Sequence, residues 1–130
     1  MLRKTLAIIA TTLLLIIGGC ELGGTTNQLR EQDSGRSVEV QVGEKLEIIL
    51  EGNPTTGYIW EQTTGDGAIM KLDGDPLYSS ESNLIGAGGT YLFRFSAVAP
   101  GETSLTLIYH RSFEAGSPPL KTFTVLVTVR

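Results

Sequence analysis

One cysteine, Cys20, and one histidine, His110, are the side chains of this 130-residue chain best suited to nucleophilic or zinc chemistry. A Ser-His-Asp triad would have to use His110, yet no serine lies in an activating Gly-x-Ser-x-Gly turn. One histidine and no second cysteine exclude a His- or Cys-rich zinc site. Asp66, Asp73 and Asp75 lack the ligand spacing of a calcium loop and read as solvated turn residues. Nothing singles out a carboxylate pair for glycoside chemistry, which stays a formal alternative. The expectation is therefore a protein that is not an enzyme, with no cofactor and no metal.

Three other segments are chemically distinctive, and their chemistry is non-covalent recognition. In Asn53-Pro54-Thr55-Thr56-Gly57-Tyr58, Pro54 fixes its own φ and pushes Asn53 toward extended geometry. Asn53 can cap neighbouring backbone groups, and Gly57 permits a turn that other residues make poorly. Such a loop is stiff and polar, which lowers the entropic cost of binding. Gly86-Ala87-Gly88-Gly89 leaves backbone amides and carbonyls uncovered, so a partner's main chain can approach. The stretch leads into a strand and has no following Lys-Ser/Thr, which argues against a phosphate cradle. Arg111-Ser112-Phe113 sets an aromatic ring beside a guanidinium, the composition of an interface hot spot. Taken singly, each segment is equally what a structural turn, a flexible loop or a folded-back Phe would look like.

The elements that must position these segments are strands. Val38, Val40 and Val42 alternate with polar residues, as do Leu46, Ile48 and Leu50, then Tyr58 and Trp60. Tyr91, Phe93, Phe95 and Ala97 share one face, followed by Leu105, Leu107 and Tyr109, and by Phe123, Val125, Val127 and Val129. Period two with β-branched and aromatic residues marks half-buried strands. Turn residues separate the runs, and no long 3.6-residue period occurs. The pattern predicts an all-β fold, an immunoglobulin-like antiparallel β-sandwich of about seven strands. Those strands are 38–42, 46–51, 58–62, one ambiguous element within 68–80, then 91–98, 104–110 and 122–130. Antiparallel strands reverse direction, so the three marked segments, in the second, fourth and sixth connections, fall at one end.

The first 20 residues read as an export signal. Arg3 and Lys4 form a positive start, and Thr5 to Ile17 is an apolar run short for a membrane-spanning helix. Ile17-Gly18-Gly19-Cys20 resembles a bacterial lipobox, in which the cysteine thiol takes a diacylglyceryl group and becomes the mature N-terminus. Ordinary cleavage near Gly19 with an incidental cysteine is the alternative. Residues 21–36, polar and without a period, read as a flexible tether, and 37–130 as the domain. Removing Arg3 and Lys4 from the 10 basic residues leaves 8 against 14 acidic ones, a charge of −6. That balance argues against nucleic acid and against docking on anionic lipid. No coiled-coil or hydrophobic repeat demands a multimer, so a monomer is expected.

Together the three segments resemble the binding loops of the chagasin family of cysteine-protease inhibitors, over about residues 36–130. Asn53 to Tyr58 followed by Trp60 resembles its first loop and the strand after it. Leu84-Ile85-Gly86-Ala87-Gly88-Gly89-Thr90 followed by Phe93 resembles the second, and Tyr109-His110-Arg111-Ser112-Phe113 the third. Ser112 stands where the family usually has proline. The resemblance implies an immunoglobulin-like sandwich and a reversible, non-covalent inhibitor of papain-like, cathepsin L-like cysteine proteases. Thr55 and Thr56 would then approach the protease's catalytic Cys and His, residues 86–89 would line the substrate groove through their main chain, and Phe113, supported by Arg111, would pack on the primed side. The lipobox resemblance of residues 17–20, separately, implies an exported lipoprotein held to the cell envelope through Cys20, with Glu21 favouring the outer membrane. The competing reading keeps fold and anchor but assigns another protein or glycan partner.

Overall fold

The computed structural model describes residues 26–114 and 116–130. The leader, the lipobox and Cys20 lie outside the described residues. Among the described residues nine strands form: β1 (Thr26–Arg30), β2 (Ser37–Val40), β3 (Lys45–Gly52), β4 (Ile59–Thr64), β5 (Met70–Leu72), β6 (Leu77–Ser80), β7 (Gly89–Ala97), β8 (Gly101–His110) and β9 (Lys121–Val129). One sheet runs β1-β3-β7-β5, with β6 also on β7, and the other β2-β9-β8-β4.

The alternation dictates this layering. Leu46, Ile48 and Leu50 of β3 and Phe93 and Phe95 of β7 point inward from one sheet; Leu105 and Leu107 of β8 and Phe123, Val125 and Val127 of β9 point inward from the other. Each such side chain, buried completely, contributes about 1.5–3 kcal/mol. The shared core of two sheets is what one-sided alternation requires.

The strand count and the pairing differ from the expected seven antiparallel strands in two places. Residues 26–30, read as part of a flexible tether, instead form β1, parallel to β3 in the register Thr26↔Lys45 to Arg30↔Ile49. It is an edge strand that buries only Leu29, so no alternation announces it. Residues 31–33 follow as a 3-10 turn, closed by Asp33 Oδ2, which accepts the Arg30 N–H at 2.8 Å. The chain then crosses to the other sheet, where β2 pairs in parallel with β9. The tether reading is thus corrected over 26–36.

The ambiguous stretch 68–80 resolves into β5 and β6, both antiparallel to β7: Met70 opposes Ala97 and Ser80 opposes Gly89. They are two segments of one edge strand broken between 73 and 76, where Pro76 has no N–H to pair. Direction is kept across the break, so the one-end argument survives. Gly52 of β3, Gly89 of β7 and Ser80 of β6 lie abreast, as do Ile59 of β4 and His110 of β8, beside Tyr109 and Lys121. The connections 53–58, 81–88 and 111–120 therefore leave the sandwich at the same end.

Candidate functional site

The first loop is built by Asn53. Its Oδ1 accepts the Thr55 N–H at 3.1 Å and the Thr55 hydroxyl at 2.6 Å, while its carbonyl accepts the Thr56 hydroxyl at 2.6 Å. Pro54 to Thr56 form one 3-10 turn, which Gly57 ends at φ +83°, a left-handed value that favours glycine. Both threonine hydroxyl protons are thus engaged inside the loop. Thr55 and Thr56 are nonetheless exposed at the tip of the loop.

Beneath this loop, Tyr109 of β8 anchors it to the core. The Tyr109 hydroxyl accepts the Asn53 N–H at 2.8 Å. Tyr109 lies between Tyr58 and Trp60, with both ring centroids 5.2 Å from its own. Trp60 in turn donates its indole N–H to the Glu51 carbonyl at 2.9 Å, joining the two sheets at the base of the loop. Burial, with Tyr109 and Tyr78 nearby, pushes the Tyr91 phenol above its usual value, so it stays neutral below the site.

The other two loops are tied to the first. Asn53 Nδ2 donates to the Gly86 carbonyl at 2.8 Å, reaching into the glycine-rich loop. Arg111 Nε donates to the Thr56 carbonyl at 3.2 Å, and its guanidinium lies 4.6 Å from the Tyr58 ring centroid. The Phe113 ring lies over Gly57: a Cβ there would sit 3.1 Å from it. Phe113 is nonetheless 72% exposed. The Glu114 N–H donates to the Arg111 carbonyl at 3.1 Å, closing a β-turn with Ser112 and Phe113 at its centre.

The expected site residues meet at one end, with one difference of role. Gly89 is buried in β7, and a Cβ there would lie 2.1 Å from the Ser79 carbonyl oxygen. It permits close strand approach and offers no contact surface. Not among the expected contact residues are Leu84 and Ile85, which open the second loop, and Leu120, at 77%, 106% and 62% exposure. Two adjacent large aliphatic residues in a stretch without strand alternation are the signal that could have found Leu84 and Ile85. With Phe113 they give this end an apolar crown.

His110 is held by Glu61, with Nε2 2.6 Å from Oε2. Among the described residues no serine hydroxyl bonds it, and no group of three or more His, Cys, Asp or Glu side chains is arranged to hold a metal ion. The arrangement can do one thing well: insert three mutually braced loops into a concave partner.

Known proteins resemble this chain in the same terms. Residues 39–127 match the model of the chagasin family of peptidase inhibitors, I42. Amoebiasin-1 of Entamoeba histolytica is 31% identical over 105 residues, covering 78% of this chain and 98% of its own. Chagasin of Trypanosoma cruzi is 31% identical over 107 residues, covering 77% and 94%. The crystal structure of the cysteine protease inhibitor EhICP2 from Entamoeba histolytica shares the fold, with a TM-score of 0.73 at 24% identity over 81% of this chain and 96% of that one. The fold, the order of the three loops and these matches lead to one assignment: the chain belongs to the chagasin family, a family of protease inhibitors and not of enzymes.

Proposed function

We propose that this protein is a reversible, non-covalent inhibitor of papain-like cysteine proteases and closes their active-site cleft with the end formed by loops 53–58, 81–88 and 111–120. The observation that carries the reading is the bracing of all three loops by two side chains, Asn53 and Arg111. Loops held in place before binding lose little entropy on docking. The first loop, with Thr55 and Thr56 at its tip, meets the catalytic Cys and His. The main chain of 86–88 lies along the substrate groove, flanked by Leu84 and Ile85. Phe113 packs on the primed side. A standard protease–inhibitor interface, about 800 Å² per partner, suits a surface of this extent.

The loops also explain why the inhibitor is not cut. From Pro54 to Gly57 the first loop is a 3-10 turn ended by a left-handed glycine, not the extended form a papain-like cleft hydrolyses. We further propose that Cys20 carries a diacylglyceryl anchor, placing a monomeric domain on the cell envelope, at the outer membrane where one is present. Titrating papain with the domain tests the inhibitory reading. Saturable, reversible loss of activity supports it, whereas undiminished papain activity over a folded domain rejects it.

A further inference from the structure

The loop end carries four largely exposed apolar side chains, Leu84, Ile85, Phe113 and Leu120. On a lipid-anchored domain such a crown would sink into the bilayer if it could reach it, burying the protease-binding surface. We propose that β1 prevents this: it is a strut that fixes the anchor at the opposite end of the sandwich and turns the loops away from the membrane. The inference rests on the proposed lipidation of Cys20.

Three observations carry it. The first is direction. β1 is parallel to β3, so its first residue, Thr26, lies beside Lys45, while β3 runs on to Gly52 at the base of the loops. The chain thus enters the domain at the end far from the loops. β1 is held there by the buried Leu29 and by Gln28, whose side chain donates to Glu47 at 3.2 Å.

The second is reach. Six residue steps separate Cys20 from Thr26, a span of at most about 22 Å when fully extended. From the level of Lys45 to that of Gly52 is seven strand steps, about 24 Å, and the loops project beyond. An inverted domain would need its tether to cover more than that distance, so the loop end cannot face the bilayer.

The third is the character of the far end. Its turns expose Val42 and Val98, at 49% and 43%, and the Gly43 N–H bonds the Ala97 carbonyl at 2.9 Å, which draws the two turns together. This small apolar pair lies at the end of the sandwich where β1 begins. The partner that the geometry admits is a protease arriving from the aqueous phase.

The test uses the full chain, lipidated in a bacterial host and reconstituted into phosphatidylethanolamine–phosphatidylglycerol vesicles with an energy acceptor on the lipid headgroups. Acylated Cys20 leaves an introduced cysteine as the sole labelling site. Donors go at Gly67→Cys, in the far-end turn, where a Cβ meets nothing within 4 Å, and at Ser117→Cys, in the third loop. Transfer from position 67 should exceed that from position 117 at least twofold. Inserting twenty Gly/Ser residues between Gly23 and Gly24 should erase most of the difference. Equal or reversed transfer in the native chain, or an undiminished difference with the long tether, would overturn the strut. Failure of the protein to float with the vesicles would overturn the anchor and the strut with it. Papain inhibition by the soluble domain is read separately and does not depend on either result.

Discussion

Asn53 Nδ2 and the Gly86 carbonyl meet at 2.8 Å, and this one bond makes the proline-stiffened loop and the glycine-rich loop a single body. The same side chain shapes its own loop through Oδ1, so its two functions cannot be separated by truncation. Asn53→Ala should weaken inhibition 5- to 30-fold, about 1–2 kcal/mol, the scale of two or three lost hydrogen bonds partly replaced by water. The inhibition constant against papain, with the melting temperature as control, measures it.

Phe113 lies over Gly57 and is 72% exposed. Phe113→Ala should therefore leave the melting temperature within a degree or two, yet reduce affinity about 30-fold or more, as loss of an aromatic hot spot does. A variant that binds papain as tightly as the native domain would remove Phe113 from the interface.

Ser112 is the second residue of the turn closed by the Glu114 N–H on the Arg111 carbonyl, the position where proline pre-sets φ. Ser112→Pro should tighten inhibition about 2- to 5-fold, through roughly 0.4–1 kcal/mol less chain entropy to lose. Slower dissociation, read by surface plasmon resonance, is the expected form of the gain.

Tyr109→Phe keeps the packing against Tyr58 and Trp60 but leaves the Asn53 N–H without its 2.8 Å acceptor. An unpaired, part-buried donor costs about 1–3 kcal/mol. The melting temperature should fall and inhibition should weaken together, because the group lies at the junction of core and loop. Chemical denaturation and papain titration of one preparation test both.

On the outer face of the β1-β3-β7-β5 sheet, the Arg94 guanidinium and then Gln28 hold Glu47 below its ordinary value of 4.5. The Ser96 hydroxyl, then Lys45, hold Asp73 below 3.8. A depressed value in the folded state stabilises the fold above the ordinary value, and that contribution is lost as pH falls through the lower, folded-state value. Both groups are solvent-facing, so the effect is modest. Glu47→Gln with Asp73→Asn should flatten the loss of stability below about pH 4.5, with little change in its slope above that. Thermal melts from pH 7 to pH 2 give the comparison.

Much of the site could be read from residue types because stiffness and exposure are local. Pro54, Gly57 and the run from Gly86 to Gly89 each state what their backbone can do, and alternating apolar residues placed them between strands. The braces were not readable. That Asn53 reaches Gly86 and Arg111 reaches Thr56 depends on which strands lie abreast, and pairing partners leave no local mark. β1 escaped for a related reason: Thr26, Asn27 and Gln28 are polar, and a single buried Leu29 has no period to detect. Residue type alone leaves Gly89 open, because glycine permits both a flexible turn and close strand approach, and the Ser79 carbonyl beside it distinguishes the two.

The most direct measurement is a titration of the soluble domain, residues 21–130, against papain and a cathepsin L-like enzyme, with a serine protease as control. The predicted result is saturable, reversible, stoichiometric inhibition of the two cysteine proteases and none of the serine enzyme. A folded domain that leaves all three enzymes untouched would contradict the inhibitory function and favour an envelope module that binds some other protein or glycan.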